Sequence, residues 1–364
     1  MHTLKPLIYL FGYSVPLAAA VGIYLGGVYS YAAVLLAFGL FPVLEFVLPA
    51  PRENAAESAA ASLSGRRLFN AVLYLAVPVQ YAIVGYLVYA VAQGLHANLF
   101  ELVGWILSVG VSCGMLGINA AHELGHRTKK HEKRMSQALL LTSLYMHFFI
   151  EHNRGHHRHV ATPLDPASAR RGEWLFPFWW RSVSGSFVSA CQIEAKRLRN
   201  SGLKPYGLKI QMWRFTLIQR GALTAIGVVA GPLALLAFAL AATVGFLLLE
   251  TINYVEHYGL RREFDSVKQR YEKVQPHHSW NSNHLLGRLL LFELPRHSDH
   301  HAFADRQYQA LRYFERSPQL PAGYPAMVLL SLVPPLWFYV MHREIDRLPA
   351  NISVDRGEEI AIAA

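Results

Sequence analysis

Three groups of histidines in this chain stand at spacings that could hold a metal ion. His122 and His126 are four apart; His152, His156 and His157 fall within six residues; His297, His300 and His301 stand at i, i+3 and i+4. On an α-helix, residues i and i+4 lie one above the other, so His152 and His156 are expected on one face with His157 just beside them. Imidazole is the commonest nitrogen ligand for iron, zinc, copper and nickel. A lone histidine is ordinarily a surface or core residue. Three groups, with His257 beside a carboxylate at the end of an apolar run, read as a multi-histidine metal site.

These nine residues, of eighteen histidines, are the candidate ligands and the candidate catalytic centre. Nine neutral imidazoles exceed what one ion takes and suit two, each keeping four or five and an open position. Because the ligands are neutral, compensation is expected from carboxylates on their ring N–H groups, with Glu123, Glu151, Glu256, Asp299 and Asp165 as candidates. Iron is favoured, since structural zinc is four-coordinate and no soft-ligand pattern points to copper. His277, His278 and His284 are reserves. They form no i, i+4 pair at a helix exit, so a supporting or packing role is expected.

The elements that must position these groups are membrane helices. Of 364 residues, 53% are hydrophobic and 16% charged, where a soluble domain carries about 25% charged. The net charge of +10 sits on residues flanking apolar runs, which fits membrane topology and anionic lipid and not nucleic acid. Cys113 and Cys191 form no disulfide framework, and without a CxxC the chain carries no thiolate iron site. The N-terminal apolar segment is long enough to stay in the membrane, with no cleavage signal behind it.

From Pro6 to Leu44 no residue is charged, room for two spans, near 6–27 and 29–49, reversing at Gly26-Gly27. Further spans are expected at 68–92 and 102–121, the latter running into His122. Thirteen apolar residues from Ala138 to Ile150 are too few to span and predict one buried or interfacial helix. Residues 160–214, with aromatics near 174–180, suit a segment on the membrane surface. Phe215 to Leu249 would make a helix of about 52 Å against a core of about 30 Å. A break at Gly231-Pro232 gives spans near 213–230 and 233–252, with Arg220 snorkelling in the first. Two passes there return His257 to the side of His122.

The predicted fold is therefore an all-α polytopic membrane protein with six transmembrane helices and a His-rich di-metal site on the cytosolic side. Its divisions are 1–122 (helices 1–4), 123–212 (interfacial, His-rich), 213–257 (helices 5–6), 258–346 (His-rich cap) and 347–364 (a poorly ordered tail). Within the cap, Tyr324 to Val340, broken at Pro334-Pro335, is expected to be interfacial or packed on the core. The three loops opposite the histidines carry no Lys or Arg, so the positive-inside rule makes the side of both termini cytoplasmic.

His122-Glu-Leu-Gly-His126 is also the HExxH pattern of zinc proteases, with glutamate as general base. A protease needs one further ligand, whereas this chain offers seven more clustered histidines. A histidine-rich transporter or sensor is the non-enzymatic alternative, but transporters place ligands near the bilayer midplane.

The same segments, with Glu151–His157, Asn253-Tyr-Val-Glu-His-Tyr-Gly259, Pro276–His284 and Arg296–His301, closely resemble the bacterial membrane alkane 1-monooxygenases over roughly residues 60–345. Pro295 and Phe303-Ala304-Asp305 depart from that family's usual residues. The resemblance implies an inner-membrane enzyme with two non-haem irons, O2 as co-substrate, and hydroxylation of the terminal methyl of an n-alkane. It also implies a rubredoxin electron donor with its flavin-dependent reductase. A relative acting on a lipid or an aromatic methyl group, a desaturase or hydroxylase, is the alternative. An alkane dissolves in lipid, so a channel between the helices is expected, lined by Gly110, Gly114, Gly117, Ala242 and Gly245.

Overall fold

The computed structural model describes residues 5–54, 67–204 and 207–355. Among the described residues, five helices are long and apolar enough to cross a membrane: α1 (Pro6–Leu25), α2 (Gly27–Val47), α3 (Arg67–Ala92), α4 (Leu99–Gly125) and, later in the chain, Pro232–His257. The reversal between α1 and α2 falls at Gly26 and Gly27, both with positive φ. It is tied to the start of α4. Glu101 accepts from the Gly27 N–H at 2.6 Å and from the Ala97 N–H at 2.8 Å, while Asn98 caps the helix by accepting from Glu101 N–H. Three otherwise orphaned backbone donors are thereby satisfied at one membrane end.

After α4 come α5 (Lys130–Leu141) and α6 (Phe148–Glu151), the latter running on through His159. The single helix expected over Ala138–Ile150 is thus two, separated by a turn in which Leu144 has φ 52. Leu139, Leu140, Tyr145, Met146, Phe148 and Ile150 are all buried. The run is apolar because it is core on both sides of the turn, the buried one of the two placements expected for it.

The surface segment folds as α7 (Leu175–Asn200), with Trp174, Phe176 and Trp180 exposed at its start. Then α8 (Gln211–Ala230) ends at Gly231, φ 86, and α9 (Pro232–His257) follows. The break stands where the sequence placed it, but six spans are not what helix length and composition alone give. Arg214, Gln219 and Arg220 leave α8 outside the five apolar enough to cross.

The C-terminal part holds a short hairpin, Phe264–Asp265 against Arg270–Tyr271, then α10 (Leu285–Leu290), α11 (His297–Ala302), α12 (Tyr324–Ser331) and α13 (Pro334–Asp346). The last two, split at the expected prolines, pack on the core through Met327, Trp337 and Met341. Residues 347–355 are not loose, contrary to expectation. Ile352 is buried, and Asp355 N–H donates to Gly259 O at 2.8 Å. Residues 356–364, and the polar linker 55–66, lie outside the described residues.

Candidate metal centre

Two apolar helices deliver histidines to the same end of the molecule: α4 ends in His122 and His126, α9 in His257. Around them the nine histidines fall into two sets. His122, His126, His152, His157 and His300 each bring a ring nitrogen within 4.8 Å of the others, and His156, His257, His297 and His301 do the same. All are buried except His126 and His157, which are half-buried.

The division cuts across the helical spacing expected for the central group. His152–His156 is a π turn, wider than an α turn, and such turns place residue i+5 near residue i. His152 therefore meets His157, Nε2 to Nε2 at 3.0 Å, while His156 turns to the other set. In α11 the ordinary spacing holds: His297 and His301 meet at 2.9 Å, and His300 reaches His157 at 3.1 Å.

These spacings have a specific meaning. His152 Nε2 lies 3.1 Å from His126 Nε2 as well as 3.0 Å from that of His157. An imidazole nitrogen has either one in-plane lone pair or one N–H, so it cannot satisfy two such neighbours. Adjacent ligands on an ion with metal–nitrogen bonds of about 2.1 Å stand about 3.0 Å apart. In addition, His122 Nε2 and His156 Nε2 are buried with no hydrogen-bond partner. The donor set fits a pair of metal ions.

Electrostatics favour the ligand form. Burial, then neighbouring histidines, holds His152, His157, His297, His300 and His301 well below the usual imidazole range, and burial draws His126 down to about 3. These rings are neutral at pH 7, with a lone pair available. Burial opposes a charge on His156 as well, but Asp165 overrides it and lifts that ring above its ordinary value.

The five candidate carboxylates do different things. Asp165 accepts from His156 Nδ1 at 2.9 Å, which orients the ring and leaves Nε2 facing the set. Glu256 lies 3.1 Å from His297 Nε2, the nitrogen that faces the other histidines. Glu123 pairs with Arg127 at 2.6 Å, and Asp299 with Arg306 and Arg312. Glu151 accepts from Ser189 at 3.3 Å, and burial raises it to about 8. Among the reserves, His278 uses both nitrogens, accepting from Gln275 N–H at 2.9 Å and reaching Glu272 at 3.1 Å. His277 stacks edge-on to it, and His284 meets Ser282.

An apolar cavity opens beside both sets. His122 and His152 of the first and His297 of the second line it, with Met115, Leu248 and Val328 among its apolar walls. Of the small residues expected along a channel, only Gly114 reaches it. A Cβ on Gly110 would meet the Val244 side chain, on Gly117 Gln80, and on Gly245 Cys113 Cβ at 2.6 Å; Ala242 is fully buried. Gly110, Gly114 and Gly245 let α4 and α9 touch and Gly117 faces α3, and the space lies one turn nearer the histidines. Tyr324, whose hydroxyl donates to Glu256 at 2.6 Å, and Asn119 and Asn253, which line the cavity, carried no sequence signal. They lie in apolar runs at no metal-ligand spacing.

A bundle of apolar helices carrying two polyhistidine sets at one end, with a cavity leading to both, defines a membrane metalloenzyme architecture. A sequence profile of the fatty acid desaturase family matches residues 97–331, the span that holds all nine histidines. The chain is 39% identical to alkane 1-monooxygenase 1 of Alcanivorax borkumensis, over 89% of this chain and 80% of that one. It is also 39% identical to alkane 1-monooxygenase 2 of Pseudomonas aeruginosa, over 92% of each. The hydroxylase component of xylene/toluene monooxygenase from Pseudomonas putida is 28% identical over 97% of this chain. The chain belongs to the alkane 1-monooxygenases within the fatty acid desaturase family.

Proposed function

We infer that this protein is an alkane 1-monooxygenase, an oxidoreductase that inserts one atom of O2 into the terminal C–H bond of an n-alkane. The observation that carries the reading is the meeting of an apolar cavity with two polyhistidine sets, in a chain 39% identical to alkane 1-monooxygenases over most of its length. Each set would hold one iron: His122, His126, His152, His157 and His300 the first, His156, His257, His297 and His301 the second. The irons supply O2 activation, which takes two electrons and two protons and releases the second oxygen atom as water. The chain's own residues do the positioning. Apolar walls hold a hydrocarbon by burial alone, exclude water, and leave the end of the chain beside His122 and His297.

Connectivity supports a reading with six passes. α4 and α9 both end at the histidines, so the chain must return to the opposite end before Pro232. The 20 residues of α8 cover about 30 Å, one bilayer core. The turns at that opposite end, near residues 26, 93–98 and 231, have no Lys or Arg. Both termini and the metal sites then face the cytoplasm of a bacterial inner membrane. Trp174 and Trp180 lie at the lipid interface.

The electrons come from a separate carrier, for which a rubredoxin and its reductase are the fitting pair. A polar recess containing His126, Lys133, Asn153, Arg154 and Asp305 opens onto the first set, and the chain's net charge of +10 suits an acidic partner. The test is oxidation of an n-alkane series by purified protein with rubredoxin, its reductase and isotopically labelled O2. The 1-alkanol carrying one labelled oxygen is expected. Subterminal alcohols, or desaturated product, would favour the related lipid-directed chemistry instead.

A further inference from the structure

Most of the cavity wall is apolar, and most of its polar groups are already engaged. His122, His152 and His297 belong to the two histidine sets, and the Tyr324 hydroxyl donates to Glu256 at 2.6 Å. That leaves Asn119 and Asn253. Both are 5% exposed, and an amide withdrawn from water is costly to leave unbonded.

Each asparagine stands one helical turn on the membrane side of a ligand. Asn119 precedes His122 by three residues in α4, directly after the π turn Cys113–Ile118, and Asn253 precedes His257 by four in α9. At these spacings residues share a helix face. A Cβ on Gly110 would meet Ala241 and Val244, and one on Gly114 would meet Gly245 and Leu248. The two helices therefore run parallel, and Asn119 comes level with the turn at 250–253. Asn253 Nδ2 donates to Glu250 at 3.3 Å, and Glu250 also accepts from Tyr145 and Ser182. Its amide is thus fixed with Oδ1 left as an acceptor. Asn119 Nδ2 is buried with no hydrogen-bond partner, alone among the described non-histidine residues that line the cavity. An alkane has nothing to offer a donor or an acceptor. A hydroxyl serves both, with one hydrogen and two lone pairs.

We propose that Asn119 and Asn253 form a hydroxyl-binding site for long-chain primary alcohols at the histidine end of the cavity. Asn119 Nδ2 is the donor to the alcohol oxygen, and Asn253 Oδ1 is the acceptor for its hydrogen. The proposal rests on the reading of this cavity as the hydrocarbon site. It makes one cavity treat two ligands of equal length differently: the alkane is held by apolar burial alone, the alcohol by burial and by the amides. An alcohol formed in place and one entering from the lipid present the same hydroxyl, so added alcohol probes the site.

The experiment uses iron-loaded full-length protein in lipid nanodiscs, without an electron donor, so that nothing turns over. Equilibrium binding of radiolabelled 1-decanol and n-decane is measured against empty nanodiscs for wild type, Asn119→Leu, Asn253→Leu and Val328→Phe, with iron per chain read for each. Leucine keeps the branched shape of asparagine without its polar atoms. Each asparagine variant should bind decanol about 3–10-fold more weakly, the worth of one hydrogen bond, with decane binding and iron content kept. Equal weakening of both ligands would show that the asparagines only shape the cavity. No change in either would show that the amides bond water. Each of these results overturns the proposal, as does wild type that binds decane and not decanol, or loss of iron from the folded asparagine variants. The two residues lie on different helices, so a variant that fails to fold leaves the other to decide. Val328→Phe should weaken both ligands; binding of both unchanged there would instead overturn the reading of the cavity as the hydrocarbon site.

Discussion

Asp165→Asn offers a sharp test of how the two sites are divided. Asp165 is fully buried and accepts from His156 Nδ1 at 2.9 Å, Ser168 Oγ at 2.6 Å and Ala167 N–H at 3.1 Å. The asparagine keeps one acceptor oxygen, which can still take the Ala167 N–H bonded by Oδ1, while its NH2 stands where Oδ2 accepts from His156 and Ser168; alanine would orphan the backbone donor as well. What is lost is the anion behind His156, and with it the ring's basicity. Removing such a partner ordinarily weakens metal binding about 10–100-fold, which is about 1.4–2.7 kcal/mol. Because His156 belongs to the four-histidine set alone, the whole effect should fall on one ion. In a chelator titration of iron-loaded protein, one iron per chain should leave at about 10–100-fold lower chelator and the second as in wild type. Both irons leaving together at the lower chelator, or neither shifting, would refute the division.

Glu123→Gln should act on stability more than on metal. It strands the buried Arg127, at a cost of roughly 3–5 kcal/mol, so the unfolding temperature should drop while iron per folded chain is kept; selective iron loss at unchanged stability would contradict this. Gly114→Leu should destabilise by about 1–3 kcal/mol, because its Cβ alone comes within 2.9 Å of Leu248 and 3.0 Å of Gly245 O. Val328→Phe, on the cavity wall, should instead shorten the longest alkane oxidised without changing iron content, and uniform loss across chain lengths would count against the cavity as the binding site. Glu194, held below the usual carboxylate range despite burial by Arg197, the Gln211 N–H and Arg154, gives a pH test. A depressed folded value means its stabilisation is present above the ordinary carboxylate pKa and is lost as pH falls through the folded one. Wild type should therefore exceed Glu194→Gln in melting temperature at pH 7 and converge with it in acid; a gap that persists in acid would show the ion pairs to be idle.

The parts of this architecture that rest on short-range pattern are legible in the residues. Gly26-Gly27 and Gly231-Pro232 mark helix breaks because few other residues take those backbone angles, and uncharged runs such as Pro6–Leu44 have one use. The histidines were also found by spacing, although their partition was not. The π turn at His152–His156 sends His156 and His157 to different sets, and no local residue preference announces that turn. Tertiary placement decided the rest. Apolarity reads the same facing lipid or core and marks no turn, so Ala138–Ile150 reads as one helix although the chain turns at Leu144. Gly110 and Gly114 of α4 contact α9 and Gly117 contacts Gln80 of α3, and of the three only Gly114 borders the cavity. Glu123 and Asp299 lie beside histidines in sequence but turn to arginines further along the same stretch, Arg127 in one case and Arg306 and Arg312 in the other.

The central claim is that the two polyhistidine sets each hold one iron. The direct measurement is iron per chain in purified wild type, His300→Ala and His301→Ala, with folding checked by circular dichroism. About two irons are expected in wild type and about one in each variant, with the Mössbauer environment that remains differing between the two variants. A single tightly held zinc in wild type, or loss of the same environment from both variants, would contradict it.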